Sequence, residues 1–134
     1  MYRVLLLIVL AMTRLTSWAA DACLTYEPST VSLTGVLKTE VFPGPPNYES
    51  VAKGDAPEKV WILVLANPVC VSGRDSLGNG PVKAVRNIQL VVPAPLLESI
   101  RPGPVQVTGK LFGAHTAHHR TKVLLDVISY KGAA

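Results

Sequence analysis

Imidazole is the side chain that most readily ligates a metal or exchanges a proton near neutral pH. All three imidazoles of this 134-residue chain fall within five residues, at His115, His118 and His119. They lie in Ala114-His115-Thr116-Ala117-His118-His119-Arg120, between the apolar, strand-like runs Val105 to Phe112 and Lys122 to Tyr130. Three chemistries are open to such a cluster. Zinc or copper would take three or four N, S or O ligands; the histidines supply up to three, and Glu49 or Asp55 could add oxygen. In a regular strand His118 and His119 point to opposite faces, so a shared metal needs a turn there, and the spacing matches no standard ligand signature. A small hydrolase-like enzyme would use one histidine as general base, yet Ser50, Thr116 and Thr121 stand in no recognisable nucleophile setting. The third chemistry is a polar latch, with the rings hydrogen-bonded to backbone carbonyls, Tyr48 or the acids so that two loops lock together.

A second unusual stretch runs from Phe42 to Glu58 as FPGPPNYESVAKGDAPE. It is long for a connection between strands, and long ordered loops tend to be functional. Its prolines stiffen it. Tyr48, Glu49 and Asp55 are the side chains it could bring to the histidines, which makes Tyr48, Glu49, Asp55, His115, His118 and His119 the candidate ligand-binding set.

The elements around these stretches read as strands. Val31-Ser-Leu33-Thr-Gly35-Val-Leu37 alternates apolar residues about a glycine, and Val105-Gln-Val107-Thr-Gly109-Lys-Leu111 repeats the pattern. Period two indicates strand, an interior Gly marks a bulge or sharp bend, and two matching bent strands suggest neighbours in a curled sheet. Lys59 to Leu65 is apolar on both parities, as in a strand covered on both sides, and Asn67-Pro68 breaks it before Cys70. Ser72 to Lys83 is punctuated by Gly and Pro and reads as a loop. Val85 to Val92 is a third strand. Pro93 to Ile100 is spaced as a short helix ended by Pro102-Gly103. Val105 to Phe112 and Lys122 to Val127 are the fourth and fifth strands. The expected fold is all-β with one short helix: an OB-like, five-stranded Greek-key barrel in which strand one closes on strand four. An irregular β-sandwich is the alternative. In the barrel the first connection and the strand 4–5 connection border the usual binding face.

Residues 1–19 have a basic start, a nine-residue apolar core from Val4 to Met12 and small residues at a cut site, the pattern of a secretory signal peptide. Spanning a bilayer needs about 20 residues, so no transmembrane anchor is expected after cleavage. Cleavage after Ala19 fits Ser17-Trp18-Ala19; cleavage after Ala22 would leave Cys23 first and open a lipid-anchored alternative. A single domain over 23–130 and a periplasmic or secreted location follow. Loss of Arg3 and Arg14 lowers Lys plus Arg from 13 to 11 against 9 acids, so the net charge falls from +4 to +2. With no run of Lys and Arg and with Trp61 in a two-sided apolar strand, a nucleic-acid surface is not expected. Cys23 and Cys70 are the only cysteines, and an even count in an exported chain favours a disulfide over two free thiols.

Pro43-Gly-Pro-Pro46-Asn47-Tyr48-Glu49-Ser50, Gly54-Asp55, and Leu111-Phe112 followed by Ala114-His115-Thr116-x-His118-His119-x-Thr121 together resemble the bacterial exported proteins grouped as domain of unknown function 4431. The resemblance spans about Cys23 to Val127 and is most specific at the histidines, where Ala117 replaces a Gly of the family pattern. It implies a bacterial periplasmic or secreted location and no assigned activity. The sequence thus reads as a non-enzymatic binding or accessory module for an unknown envelope protein or small ligand, with no required cofactor and with zinc or copper as the metal alternative.

Overall fold

The computed structural model describes residues 22–133; the expected export signal over 1–19 lies outside them. Its strands are β1 (Leu24–Thr25), β2 (Val31–Pro43), β3 (Pro57–Ser72), β4 (Val82–Val91), β5 (Gly103–Gly113) and β6 (Val123–Gly132), with one short helix α1 (Ala94–Leu97) between β4 and β5. β2 pairs antiparallel with β3 and with β5, β3 with β4, and β5 with β6. A parallel ladder between β4 and β6 closes the ring. The ring β2-β3-β4-β6-β5 is the OB-like barrel expected, and its closure excludes an open sandwich.

The repeated Thr-Gly strands are neighbours. Val31 pairs with Gly109 and Gly35 with Val105, so each V-x-x-x-G segment lies against the other in opposite direction. Each glycine is also pressed by a strand on its other side. A Cβ at Gly35 would collide with the Val64 carbonyl, and one at Gly109 with the Asp126 carbonyl. The β5–β6 register shifts between Thr108 and Gly109, the local bend expected of a bulge.

Inside the ring Leu37, Leu63, Ile88, Val107, Leu111 and Leu125 form the centre of the core. β3 is buried on both parities where expected: Leu63 and Leu65 face the core, while Val60 and Ile62 are buried on the opposite side. The break expected at Asn67-Pro68 does not occur. β3 runs on to Ser72, and its register with β4 shifts between Val64 and Val69. Ala66, Asn67 and Pro68 are exposed there, so the proline that cannot donate to a ladder sits at an irregularity where none is required.

The extension of β3 carries Cys70, which is bonded to Cys23 across 47 residues. The disulfide takes both cysteines, so the free-thiol alternative does not hold. It sets the short β1 parallel to the end of β3, with Leu24 beside Val71 and Thr25 beside Ser72. Tyr26 then inserts into the core and its hydroxyl donates to the Gly80 carbonyl at 2.8 Å. Among the described residues no helix is long and apolar enough to cross a membrane.

Gly109→Ala should cost about 1–3 kcal/mol, because backbone cannot yield to the added methyl as a flexible side chain would. Urea unfolding at fixed protein concentration measures this. A loss below ~0.5 kcal/mol would mean that the close approach to Asp126 is not a constraint.

Candidate functional site

The β2–β3 loop folds on itself first. Gly44 N–H donates to the Ala56 carbonyl at 2.7 Å and Ala56 N–H to the Pro45 carbonyl at 2.8 Å, closing its neck. Asp55 organises the interior: its carboxylate accepts from the N–H groups of Asn47 at 2.9 Å, Glu49 at 2.8 Å and Ser50 at 2.9 Å. These bonds, that of Ser50 first and then that of Glu49, hold the Asp55 carboxyl below its ordinary range against the opposing effect of its burial. Asp55 therefore does not reach the histidines; it is consumed in shaping its own loop. Glu49 is exposed, and its backbone rather than its carboxylate takes part in this network. Tyr48 stands at φ 59°, a left-handed conformation that is uncommon for a bulky residue, and its ring is the group this loop projects toward the histidines.

The β5–β6 loop makes the turn that a histidine cluster requires. Ala114 N–H donates to the Lys122 carbonyl at 3.0 Å and His119 N–H to the Thr116 carbonyl at 3.1 Å. Ile62, Gln89 and Leu124 pair in one row across β3, β4 and β6, and all three are buried. The Gln89 carboxamide donates to the His118 carbonyl at 3.1 Å and accepts from Arg120 N–H at 2.6 Å. The loop is thereby pinned over the outer wall of the barrel.

Residues 87–131 match the model of a family described as a domain of unknown function, DUF4431. The DUF4431 stretch holds Gln89, the three histidines and Arg120, whereas Tyr48, Asp55 and Glu58 come from outside it. No curated protein and no solved structure matches the chain.

Within the DUF4431 stretch the rings separate into two groups. His118 turns toward the β2–β3 loop. Its Nδ1 lies 2.9 Å from both carboxylate oxygens of Glu58, and its Nε2 lies 3.4 Å from the Tyr48 hydroxyl. A carboxylate can only accept, so Nδ1 carries a proton and the phenol donates to Nε2 when the ring is neutral. His115 and His119 face each other instead, with ring centroids 4.5 Å apart, over Phe112. His119 Nδ1 accepts from the N–H groups of His115 at 3.0 Å and Thr116 at 3.2 Å. His115 Nδ1 donates to the Gly113 carbonyl at 3.0 Å.

These partners decide what the cluster can do. An Nδ1 that accepts leaves the neutral His119 ring with its proton on Nε2, hence with no free lone pair for a metal. Both nitrogens of His118 are engaged. Only His115 Nε2 retains an open lone pair, and among the described residues no three His, Cys, Asp or Glu side chains come together as a metal-holding group. The Glu58-His118-Tyr48 line has the order of a carboxylate-oriented base beside a hydroxyl. With the Glu58 carboxylate at 2.9 Å on one side and the Tyr48 hydroxyl at 3.4 Å on the other, it joins the two loops.

Arg120 completes that contact. Its guanidinium donates to the Pro43 carbonyl at 2.9 Å, lies 3.4 Å from Glu58, and stands 5.3 Å and 5.5 Å from the ring centres of Phe42 and Tyr48. Its side chain is only 10% exposed, and its Nε is buried with no hydrogen-bond partner among the described residues. Glu58, Gln89 and Arg120 were not singled out from the sequence. The available signals were weak: Glu58 closes the Pro-rich stretch and Arg120 directly follows the histidines.

The base of the histidine loop is fixed by Asp75, also missed. Its carboxylate accepts from Gly113 N–H and from the Asn79 side chain, 2.8 and 2.7 Å away, and from the N–H groups of Leu77 and Asn79 at 3.0 and 2.8 Å. Burial pushes this carboxyl up, but the bonds from Asn79, Gly113 and Leu77 outweigh it and bring it down to about 2. Gly113 has no room for a Cβ against the Asn79 side chain.

Two outcomes follow. Burial first, then the neighbouring charges of His115 and His118, lowers the pKa of His119. A depressed histidine stabilises the fold above the unfolded imidazole value of about 6.5, and that stability is lost as pH falls through the folded value. Histidine-ring NMR should therefore show His119 titrating below ~6.5, with the His115 and Thr116 amides shifting in step; titration above that value would contradict the acceptor role of Nδ1. Asp75→Ala should cost about 3 kcal/mol by leaving buried N–H groups unpaired. The contribution of Asp75 is complete above the ordinary carboxyl value near ~3.9 and disappears as pH falls toward about 2. Urea midpoints for wild type and Asp75→Ala, measured at neutral and acid pH, should converge in acid.

Proposed function

We propose that this protein is an exported, single-domain OB-like binding module, periplasmic or secreted, whose recognition surface is the joined pair of loops β2–β3 and β5–β6. The observation that carries this reading is the convergence of two costly features at one junction. A bulky residue held at positive φ costs of order 1–3 kcal/mol, and drawing a guanidinium charge out of water carries a desolvation cost that its partners must offset. Tyr48 and Arg120 carry these features, and the guanidinium carbon lies 5.5 Å from the Tyr48 ring centre. A latch serving stability alone would be better built from Gly at 48 and an apolar residue at 120. Departures of this kind concentrate where a surface has another task. The groups on offer are the phenol of Tyr48 and the ring of His118, held in fixed relation by Glu58 and Arg120, together with the ring of His115 on the same loop as His118. A protein partner in the envelope or a small ligand with hydrogen-bonding groups suits such a surface. Export is supported by the Cys23–Cys70 disulfide, since such bonds persist in oxidising compartments.

A photo-crosslinking amino acid placed at exposed Thr116, in the native host, tests the reading. The expected result is a discrete adduct at Thr116 that is lost when Glu58→Ala and Tyr48→Ala are added, with none at exposed Asn67 on the far part of β3. Equal labelling at Thr116 and Asn67, or adducts indifferent to the two substitutions, would refute it.

A further inference from the structure

A second site lies where the barrel wall is incomplete. β4 pairs with β6 only at Gln89–Val91, so the outer edge of β4 from Val82 to Ile88 has no strand beside it among the described residues. A cleft of about 340 Å³ occupies that gap, lined by Val82–Asn87 on one wall and by Thr121, Lys122 and Val123 on the other. Its size is at the low end of small-molecule pockets, about 300–1,000 Å³. Val85 and Val123 form an apolar floor, both buried. Lys83, Arg86 and Lys122 stand around it with no acidic residue in the lining. The ion pairs among the described residues use none of these three cations. Ala84, between them, is held at φ 53°.

Part of this has a structural reason. Lysine and a bulge on an exposed strand edge prevent it from pairing with another chain, and Lys83, Arg86 and the bend at Ala84 fit that role, which argues against an added strand as the occupant. Lys122 does not fit it. It comes from the opposite wall, belongs to no free edge, and makes the cleft cationic from both sides at a separation in sequence of 39 residues from Lys83. Three uncompensated cations and the Asn87 amide over an apolar floor form a set of donors with no acceptor charge.

We propose that this cleft is a binding site for a compact multivalent oxyanion, a phosphate or carboxylate group, distinct from the histidine junction and independent of its role. Two sources carry that chemistry, a free anion and an anionic lipid headgroup.

The test uses the mature protein, inorganic pyrophosphate followed by amide NMR, and sedimentation with phosphatidylglycerol or phosphatidylcholine vesicles. Three variants are compared with wild type: the triple Lys83→Gln, Arg86→Gln, Lys122→Gln; the single Lys122→Glu; and a control triple, Lys53→Gln, Lys59→Gln, Lys131→Gln, that removes equal charge elsewhere. Saturable shifts confined to Val82–Asn87 and Thr121–Val123, weakened about tenfold in the site variants and little changed in the control, support the site with a free anion as its source. Sedimentation with phosphatidylglycerol alone, abolished in the site variants and kept in the control, supports it with a headgroup as its source. No binding in either arm, or equal weakening by site and control triples, overturns the proposal.

Discussion

The three residue pairs of the parallel β4–β6 ladder are the constraint on which the rest of the molecule depends. On the β2–β5 side the two loops of the junction are far apart. Val31 pairs with Gly109, so the end of β5 lies beside the start of β2, and the β2–β3 loop lies at the other end of β2. Thirteen residues of straight strand would span about 40 Å. Around the other side of the ring, the row Ile62, Gln89 and Leu124 sets the start of β6 two strands from the start of β3. Only closure through β4 brings Glu58 and Tyr48 to His118. The shortness of the same ladder leaves the edge of β4 open and creates the cationic cleft, so both surfaces are products of one incomplete closure.

Gln89 converts that closure into loop geometry. It sits in a row with two apolar residues, Ile62 and Leu124, where an apolar side chain would pack equally well. A carboxamide offers one acceptor and a pair of donors, and here they match Arg120 N–H and the His118 carbonyl. Removing the carboxamide would leave both loop groups unpaired, at about 1–3 kcal/mol each. The turn that lets adjacent His118 and His119 face different partners is thus held by a residue of the barrel wall as well as by the loop's own bonds.

Legibility in the sequence followed the range of the interactions. The paired Thr-Gly strands, the two-sided β3 and the short helix are local patterns of period and punctuation, and they were readable. The cysteine pairing was readable from parity and compartment. The strand over Lys59 to Leu65 was read as broken at Asn67-Pro68 because a bulge that excuses a proline from the ladder depends on β4, which no local pattern reveals. Glu58, Gln89 and Arg120 escaped for the same reason: their partners lie 29 to 77 residues away, as His118 from Gln89 and Pro43 from Arg120, and barrel stagger chooses them; Asp75 bonds locally to Leu77 and Asn79, but its tie to Gly113 spans 38 residues. Asp55 was expected to be near the histidines by loop adjacency, but the nearest unpaired donors were the N–H groups of Asn47, Glu49 and Ser50 in its own loop.

That outcome for Asp55 and Asp75 explains the electrostatics of the junction. A folded loop of more than ten residues has N–H groups that no ladder satisfies, and a carboxylate that accepts three or four of them is stabilised more than one facing a single imidazole. The loops therefore consumed the acids best placed to ligate a metal. Glu58 escaped because it stands at the start of β3, in the strand ladder opposite Phe42, so its carboxylate is left for His118 and Arg120. That one carboxylate is shared by His118 Nδ1 at 2.9 Å and the Arg120 guanidinium at 3.4 Å, so a single side chain at the edge of β3 ties the histidine loop to the barrel.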